Sequence, residues 1–253
     1  MLSRADIVRA SVNGCKKRFA PVLALWHYPH YALVCMSKCG GSVQRSRRVD
    51  TKVTFPAGDL ILEGCMSTST PGRGVGVVLC HPRPLHGGNM YSNVVYGIAR
   101  ALWPHDVTTL RFNFRGTGAS EGTHGGGDTE GADVAAAVTY LLDCQPVSTV
   151  VVVGYSFGAG VGLLAGVADP RVTTLVGVAP PVARRDFSPL LTCPKPKLFI
   201  TGDRDHVCPL PTLQDLLAGC PEPKALALIP GADHLFLGRE AEVAQAVVTF
   251  LAL

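Results

Sequence analysis

The sequence predicts an α/β fold built on a mostly parallel sheet, and three observations support that prediction. From about Val49 onward, segments with the apolar pattern of strands alternate with segments of helical spacing. The run Gly74–Cys80 is almost continuously apolar, which is typical of a strand buried on both faces of its sheet. Two further strand patterns precede it and are separated by a short turn, which indicates an antiparallel start. Alternation of this kind puts helices on both faces of the sheet.

The predicted elements follow one another in a single series. The opening strands are expected at Thr51–Phe55 and Asp59–Cys65, with a turn at Pro56, Ala57 and Gly58. The other predicted strands are Gly74–Cys80, Val107–Phe114, Thr149–Val153, Val172–Val178, Lys197–Thr201 and Ala225–Ile229. The predicted helices are Tyr91–Leu102, Thr129–Asp143, Phe157–Val167, Leu210–Ala218 and Arg239–Leu251. Neither an internal repeat nor a second domain is indicated.

Composition indicates a globular chain, since 47% of its 253 residues are hydrophobic and 17% are charged. Residues 1–48 hold nine basic residues and one acid, a net charge of +8; because the whole chain carries +4, the remainder carries −4. The remainder has no basic stripe, so nucleic acid is not expected as a partner. The nine cysteines are irregularly spaced without a CxxC pair, which favours reduced cysteines in an intracellular protein over a zinc site or a disulfide framework.

Residues 1–48 are predicted to be a basic extension that precedes a single domain at residues 49–253. Three interpretations stay open: an organelle transit peptide, a disordered extension, or a true translation start at Met36. The most apolar stretch of the extension, Phe19–Met36, contains two prolines and two histidines, so no membrane span is expected. The expected location is the cytoplasm, or a mitochondrion or plastid if the extension is a transit peptide.

The pattern Gly154-Tyr155-Ser156-Phe157-Gly158 places a candidate nucleophile, Ser156, between a predicted strand and a predicted helix. A nucleophile in this context sits on a sharp, strained turn, and the glycines let the helix pass close to neighbouring strands. A second match to the pattern centres on Ser120, but glycine-rich loop sequence follows it, which favours a loop residue. The run Gly160–Ala165 fits a dinucleotide-binding pattern, but its first glycine lies inside the predicted helix and no suitably spaced acid follows.

A serine hydroxyl needs a base to become nucleophilic, and two later loops supply candidate partners. The strand Lys197–Thr201 is followed by a loop that contains Asp203 and Asp205. The last predicted strand is followed by a loop that contains His234. An acid followed by a histidine is the order expected after a strand–serine–helix turn, so His234 is predicted to be the base. Asp203 could instead cap a turn, and His206 is expected to shape the site.

Stabilising the oxyanion of acyl transfer requires two backbone N–H donors. One is expected from Phe157, the residue after the nucleophile. The other is expected from the loop after Gly74–Cys80, which reads His81-Pro82-Arg83-Pro84-Leu85-His86-Gly87-Gly88-Asn89. Prolines have no N–H to donate. The donor is therefore Arg83, Leu85 or a residue of the His86–Gly88 run, and Arg83 is preferred because it lies nearest the strand end.

Four patches of the sequence resemble, in the same order, compact α/β-hydrolases related to dienelactone hydrolases and to Xaa-Pro dipeptidyl-peptidase-like catalytic domains. They are His81–Gly88, Asn113–Gly122, the turn at Ser156, and the loops that hold Asp205 and His234. The resemblance spans about residues 49–253 and implies an α/β-hydrolase fold with a triad of Ser156, Asp205 and His234. In such proteins the second aspartate of a Gly-Asp-x-Asp loop is the acid, which favours Asp205 over Asp203.

The expected function is a serine hydrolase that cleaves an ester, thioester or amide bond of a small acyl substrate, without a metal or organic cofactor. The alternative is a catalytically silent binding protein of the same fold, which the intact set of three residues disfavours. The connection from Ala179 to Pro196 is rich in proline, so no large lid is expected over the site. Arg184 and Arg185 lie in this connection, and their charges are either exposed to solvent or attract an acidic group of the substrate. The sequence does not indicate an oligomeric state.

Overall fold

The computed structural model describes residues 49–68 and 72–253, and this part of the chain forms one eight-stranded sheet with five α-helices. The strands are β1 (Val49–Ala57), β2 (Leu60–Thr68), β3 (Val75–Cys80), β4 (Thr108–Phe112), β5 (Thr149–Tyr155), β6 (Thr174–Val178), β7 (Lys197–Gly202) and β8 (Lys224–Ile229). The helices are α1 (Asn93–Leu102), α2 (Glu130–Cys144), α3 (Phe157–Ala168), α4 (Leu210–Gly219) and α5 (Glu240–Phe250). The basic extension predicted at residues 1–48 lies outside the described residues, so the three interpretations of it stay predictions.

The strands are ordered β1-β2-β4-β3-β5-β6-β7-β8 across the sheet. β2 pairs antiparallel with both β1 and β4, and the other neighbouring strands pair parallel. The prediction of a mostly parallel sheet with an antiparallel start is therefore confirmed. The central strands β3 and β5 are buried after their first residue, as their continuous apolar runs predict.

Helices cover both faces of this sheet. The chain moves from β3 to β4 in one direction across the sheet, and from β5 to β6 in the other. Because crossovers between parallel strands are right-handed, the helices in these two connections, α1 and α3, lie on opposite faces. Helix α1 packs against α5, and α3 packs against α2. None of the helices within residues 49–68 and 72–253 is long and apolar enough to cross a membrane.

The first turn of the sheet differs from the prediction. Pro56 and Ala57 were expected in the turn, but both belong to β1, and the turn consists of Gly58 and Asp59 alone. Pro56 pairs with Ile61, which is possible because β1 is an edge strand and a proline there need not donate to a further strand. Gly58 has a φ of +63°, the left-handed conformation that a two-residue hairpin turn requires.

The connection between β6 and β7 leaves the top of the sheet without a large cover. Within residues 179–196 the chain forms a short 3₁₀ turn, Ser188–Thr192, and no α-helix. The prediction that the fold has no large lid is confirmed. A proline-rich segment cannot continue a helix because proline lacks the N–H and clashes with the preceding turn.

Candidate active site

Three loops at one edge of the sheet bring the candidate residues together. β5, β7 and β8 run parallel to one another, with β6 between β5 and β7. Ser156 follows β5 directly, Asp205 lies in the loop after β7, and His234 lies in the loop after β8. Parallel strands have their carboxyl ends at the same edge, so residues far apart in sequence meet there.

Ser156 occupies the strained turn that the glycine pattern predicts. Its backbone has a φ of +53° and a ψ of −114°, a conformation rare for a residue other than glycine. The glycines on either side are required by close backbone contacts. A Cβ at Gly154 would lie 2.2 Å from the carbonyl oxygen of Gly158, and one at Gly158 would lie 2.3 Å from that of Cys80. The turn therefore projects the serine at the strand end while α3 packs tightly against β3.

A continuous chain of hydrogen bonds joins the three predicted residues. The hydroxyl Oγ of Ser156 lies 2.8 Å from Nε2 of His234. On the other side of the ring, Nδ1 lies 2.9 Å from Oδ2 of Asp205. A neutral imidazole between a hydroxyl and a carboxylate carries its proton on Nδ1, where it donates to the carboxylate, and its free Nε2 accepts from the serine. The arrangement can therefore take up the serine proton at Nε2.

Asp205 is held as a carboxylate by its surroundings. Its side chain is buried, and its Oδ1 accepts the backbone N–H groups of Val207 and Cys208, both at 2.8 Å. Burial by itself raises the pKa of this carboxyl group, but the hydrogen bonds from His234, Cys208 and Val207 outweigh it and lower the pKa below its ordinary value. The group consequently stays charged at neutral pH and favours a positive charge on His234.

Asp203, the competing aspartate, is exposed, and the carboxylate bonded to the ring of His234 is that of Asp205. Its Oδ1 accepts the backbone N–H of Gly231 at 2.7 Å, which ties the loop after β7 to the loop after β8. His206, the other histidine of this region, is also exposed. The structure thus brings Asp205, rather than Asp203, into contact with His234. Asp203 instead stabilises a turn, which is the alternative role considered for it from the sequence.

Ser120, the second serine in a G-x-S-x-G pattern, is buried in a loop. Its hydroxyl donates to the carbonyl of Asn113 at 2.7 Å and accepts the N–H of Glu63 at 3.0 Å. Both bonds connect the loop to the sheet edge, and neither involves a base. The dinucleotide-like run begins at Gly160, inside α3 rather than at its entrance, so it does not form a phosphate-binding turn.

The two predicted oxyanion donors lie on neighbouring elements. Phe157 is the first residue of α3, whose initial N–H groups have no partner within the helix. In the loop after β3, the N–H groups of His86, Gly87 and Gly88 are bonded to the carbonyls of Arg83 and Pro84. That of Arg83 has no backbone acceptor among the described residues. Among the alternatives left open by the sequence, Arg83 and Leu85 thus keep an N–H available.

His81 and Tyr155 make hydrogen bonds that brace the loops of the site, and sequence reasoning missed both residues because neither belongs to a recognisable motif. The buried ring of His81 donates from Nδ1 to the carbonyl of Pro82 at 2.7 Å, and its Nε2 accepts the N–H of Phe114 at 3.1 Å. Burial lowers the pKa of His81 to about 4, so the ring is neutral. The hydroxyl of Tyr155 donates to the carbonyl of His234 at 2.8 Å. Burial raises the pKa of Tyr155, which keeps it a donor.

Comparison with known proteins gives a consistent result. A family model described as the alpha/beta hydrolase fold matches residues 84–191. An uncharacterised protein, RP471 of Rickettsia prowazekii (strain Madrid E), is 32% identical over 200 residues, covering 75% of this chain and 84% of its own.

Solved structures show the same similarity. An alpha-beta serine hydrolase homologue from Coxiella burnetii is 32% identical, with 80% of this chain and 97% of its own covered and a TM-score of 0.73. The protein XC6422 of Xanthomonas campestris, described as a serine hydrolase without a lid, is 30% identical, with 80% and 94% covered and a TM-score of 0.72.

Proposed function

This chain belongs to the α/β-hydrolase family, and from that premise we propose that it cleaves an ester-like bond of a small substrate through an acyl-enzyme on Ser156. Its similarity to serine hydrolases supports hydrolase activity in general. The observation that carries the more specific proposal is the unbroken chain from the Ser156 hydroxyl through His234 to Asp205, at 2.8 and 2.9 Å. These are the distances at which a base can take a proton from a nucleophile.

In the first half of the reaction, Oγ of Ser156 attacks the substrate carbonyl while its proton passes to Nε2 of His234. The imidazolium that forms lies against the carboxylate of Asp205, which stabilises the charge and fixes the ring. The N–H groups of Phe157 and Arg83 bind the oxyanion. His234 then gives its proton to the departing alcohol, thiol or amine, and the acyl group stays on Ser156.

In the second half, a water molecule takes the place of the leaving group. Nε2 of His234 removes a proton from this water as its oxygen attacks the acyl carbon. The second oxyanion collapses, the acid product leaves, and the proton on His234 returns to Ser156. The cycle combines a covalent acyl-enzyme with proton transfer through His234, and preorganised backbone donors stabilise each oxyanion.

The experiment that tests this proposal is labelling with a fluorophosphonate probe, which reacts with an activated serine. The full chain is expected to be labelled, and Ser156→Ala to lose labelling and to lose about 10⁴-fold or more of its esterase turnover. Ser120→Ala is the matched control. It removes one buried and one partly buried hydrogen bond, so it lowers stability by about 1–3 kcal/mol, but the folded protein should still be labelled.

Absence of labelling in the full chain would instead favour the second candidate, a catalytically silent binding protein of this fold. Equal loss of labelling in properly folded Ser120→Ala would contradict the choice of nucleophile. Circular dichroism of each variant shows that the fold is retained before the labelling result is compared.

A further inference from the structure

Arg185 differs from the other partly buried arginines in its charge environment. Within residues 49–68 and 72–253, four arginines are not exposed, and three of them have a carboxylate partner: Arg111 with Asp50, Arg115 with Asp133, and Arg239 with Glu242. Arg185 has none in this part of the chain. Its Nη2 donates to the carbonyl of Gly127 at 2.9 Å, which leaves most of its five N–H donors unused. A half-buried cation without a counter-charge is costly, so its environment favours an anion beside it.

The side chain of Arg185 lies beside the start of α3. A Cβ at Gly160 would lie 3.1 Å from Cδ of Arg185, and the N–H of Gly160 donates to the carbonyl of Ser156. Gly160 is four residues beyond Ser156, about 6 Å along a helix. A Cβ at Gly127 would clash with Nη1 of Arg185 and lie 3.4 Å from the ring of Phe157. The guanidinium is therefore within a substrate's length of the predicted nucleophile.

Arg185 also lines a cavity with the character of a site for an amphipathic acid. The cavity has a volume of about 270 Å³ and lies between the connection after β6 and helix α4. Apolar side chains such as Val182, Leu191 and Leu216 form part of its wall, and Thr212 contributes a hydroxyl. The one carboxylate at this cavity, that of Asp186, is exposed and already accepts the N–H and hydroxyl of Ser188, both at 2.8 Å.

From this placement we infer that Arg185 binds a carboxylate carried at the far end of the substrate's acyl group. The inference rests on the proposed function, because it names the class of acyl compound that the Ser156 site accepts. A guanidinium suits a carboxylate because its planar donors match the two oxygens, and a single cation balances a single negative charge. Carbon atoms next to that carboxylate would contact the apolar wall of the cavity that Arg185 lines. The substrate class is thus a monoester of a dicarboxylic acid.

The test compares two p-nitrophenyl esters of adipic acid, one with a free distal carboxylate and one with that carboxylate capped as a methyl ester. Wild type is expected to show a kcat/KM at least about tenfold higher on the free acid. Arg185→Gln should bring the ratio of the two values close to one, and Arg185→Lys should keep part of it, because lysine retains the charge without the planar fork. Arg184→Gln is the matched control, since Arg184 is the exposed neighbour, and it should leave the ratio at the wild-type value.

A binding measurement separates this inference from the proposed function. Monomethyl adipate is titrated calorimetrically into Ser156→Ala and into the double variant with Arg185→Gln, both of which are first checked by thermal melting. Loss of at least about tenfold in affinity in the double variant supports the subsite, whether or not the enzyme turns over. Failure of probe labelling and of all ester turnover counts against the proposed function alone. Equal affinity of the two variants, or a wild-type ratio near one with active enzyme, overturns the role of Arg185.

Discussion

His81 makes the stability of the fold depend on pH in a range that follows from its contacts. The side chain is completely buried. Its neutral ring uses one nitrogen as a donor to Pro82 and the other as an acceptor from Phe114. Protonation would place an N–H against the N–H of Phe114, so the charged ring loses a bond as well as its hydration. Burial is the main reason that the pKa of His81 falls to about 4; the bond to Pro82 opposes the shift, and His124 adds to it.

The sign and size of the effect follow from proton linkage. An unfolded chain holds this histidine at a pKa of about 6.5, so between about pH 6.5 and 4 the unfolded state binds a proton that the folded state does not. The free energy of unfolding therefore falls as the pH falls through this range, and the contribution of His81 is fully present above it. A shift of about 2.5 pKa units, at about 1.4 kcal/mol each, corresponds to about 3.5 kcal/mol in full, of which about 3 kcal/mol is lost by pH 4, where the folded histidine is half protonated.

The assay is urea unfolding of wild type and His81→Gln from about pH 7.5 to about pH 4.5. Glutamine does not titrate and can still accept from the N–H of Phe114, so the variant should lose less stability than wild type over the same range. Carboxylates such as Asp205 destabilise both proteins at lower pH and cancel in the difference. His86→Gln, which changes an exposed histidine, should keep the wild-type slope. Parallel curves for wild type and His81→Gln would refute the reasoning.

Three further outcomes are expected. Asp205→Asn should lower kcat/KM by about 10⁴-fold, because the histidine loses its carboxylate, whereas Asp203→Asn should lower it by less than about tenfold. Steady-state kinetics on p-nitrophenyl acetate measures both losses. A larger loss from Asp203→Asn would reverse the assignment of the acid. Deleting residues 1–35 should leave turnover and melting temperature unchanged, because residues 49–253 are proposed to be the complete catalytic domain, and a large drop in either would contradict that boundary. Among neutral p-nitrophenyl esters, acetate or butyrate should give the highest kcat/KM without a jump at the micelle threshold, because a site without a large lid encloses little of a long chain; preference for palmitate with interfacial activation would contradict this.

The order of elements could be predicted from the sequence because the strongest patterns belong to the most buried segments. The apolar runs at β3 and β5 are continuous, as expected for strands buried on both faces. Every predicted strand and helix is present, with ends shifted by a few residues. The predicted position of the hairpin turn was wrong because proline normally indicates a turn. Pro56 can continue β1 because β1 is an edge strand. Edge position is a property of the assembled sheet, which local sequence does not contain.

The candidate site could be predicted to a similar degree, for a related reason. Ser156, Asp205 and His234 each follow a recognisable strand, so the parallel sheet places them at one edge even though 78 residues separate serine from histidine. Positioning residues have no such pattern. His81 acts through Phe114, which is 33 residues away, and Tyr155 through a carbonyl 79 residues away. Pairings of this kind depend on tertiary packing, which single-sequence reasoning does not reach.

The groups proposed to act in the chemistry and the arginine proposed to select the acyl group lie in parts of the structure that are constrained to different degrees. Close packing restrains the groups proposed to act in the chemistry. The turn at Ser156 is in close backbone contact with the end of β3, and the buried neutral ring of His81 joins the loop after β3 to the segment after β4. Such preorganisation is what oxyanion stabilisation requires, since donors that need no rearrangement lower the barrier most. Arg185, by contrast, lies on the proline-rich connection after β6, where a single bond to Gly127 orients it. If Arg185 has the proposed role, we expect changes in that connection to alter which acyl group is accepted while the hydrogen bonds of His234 stay in place.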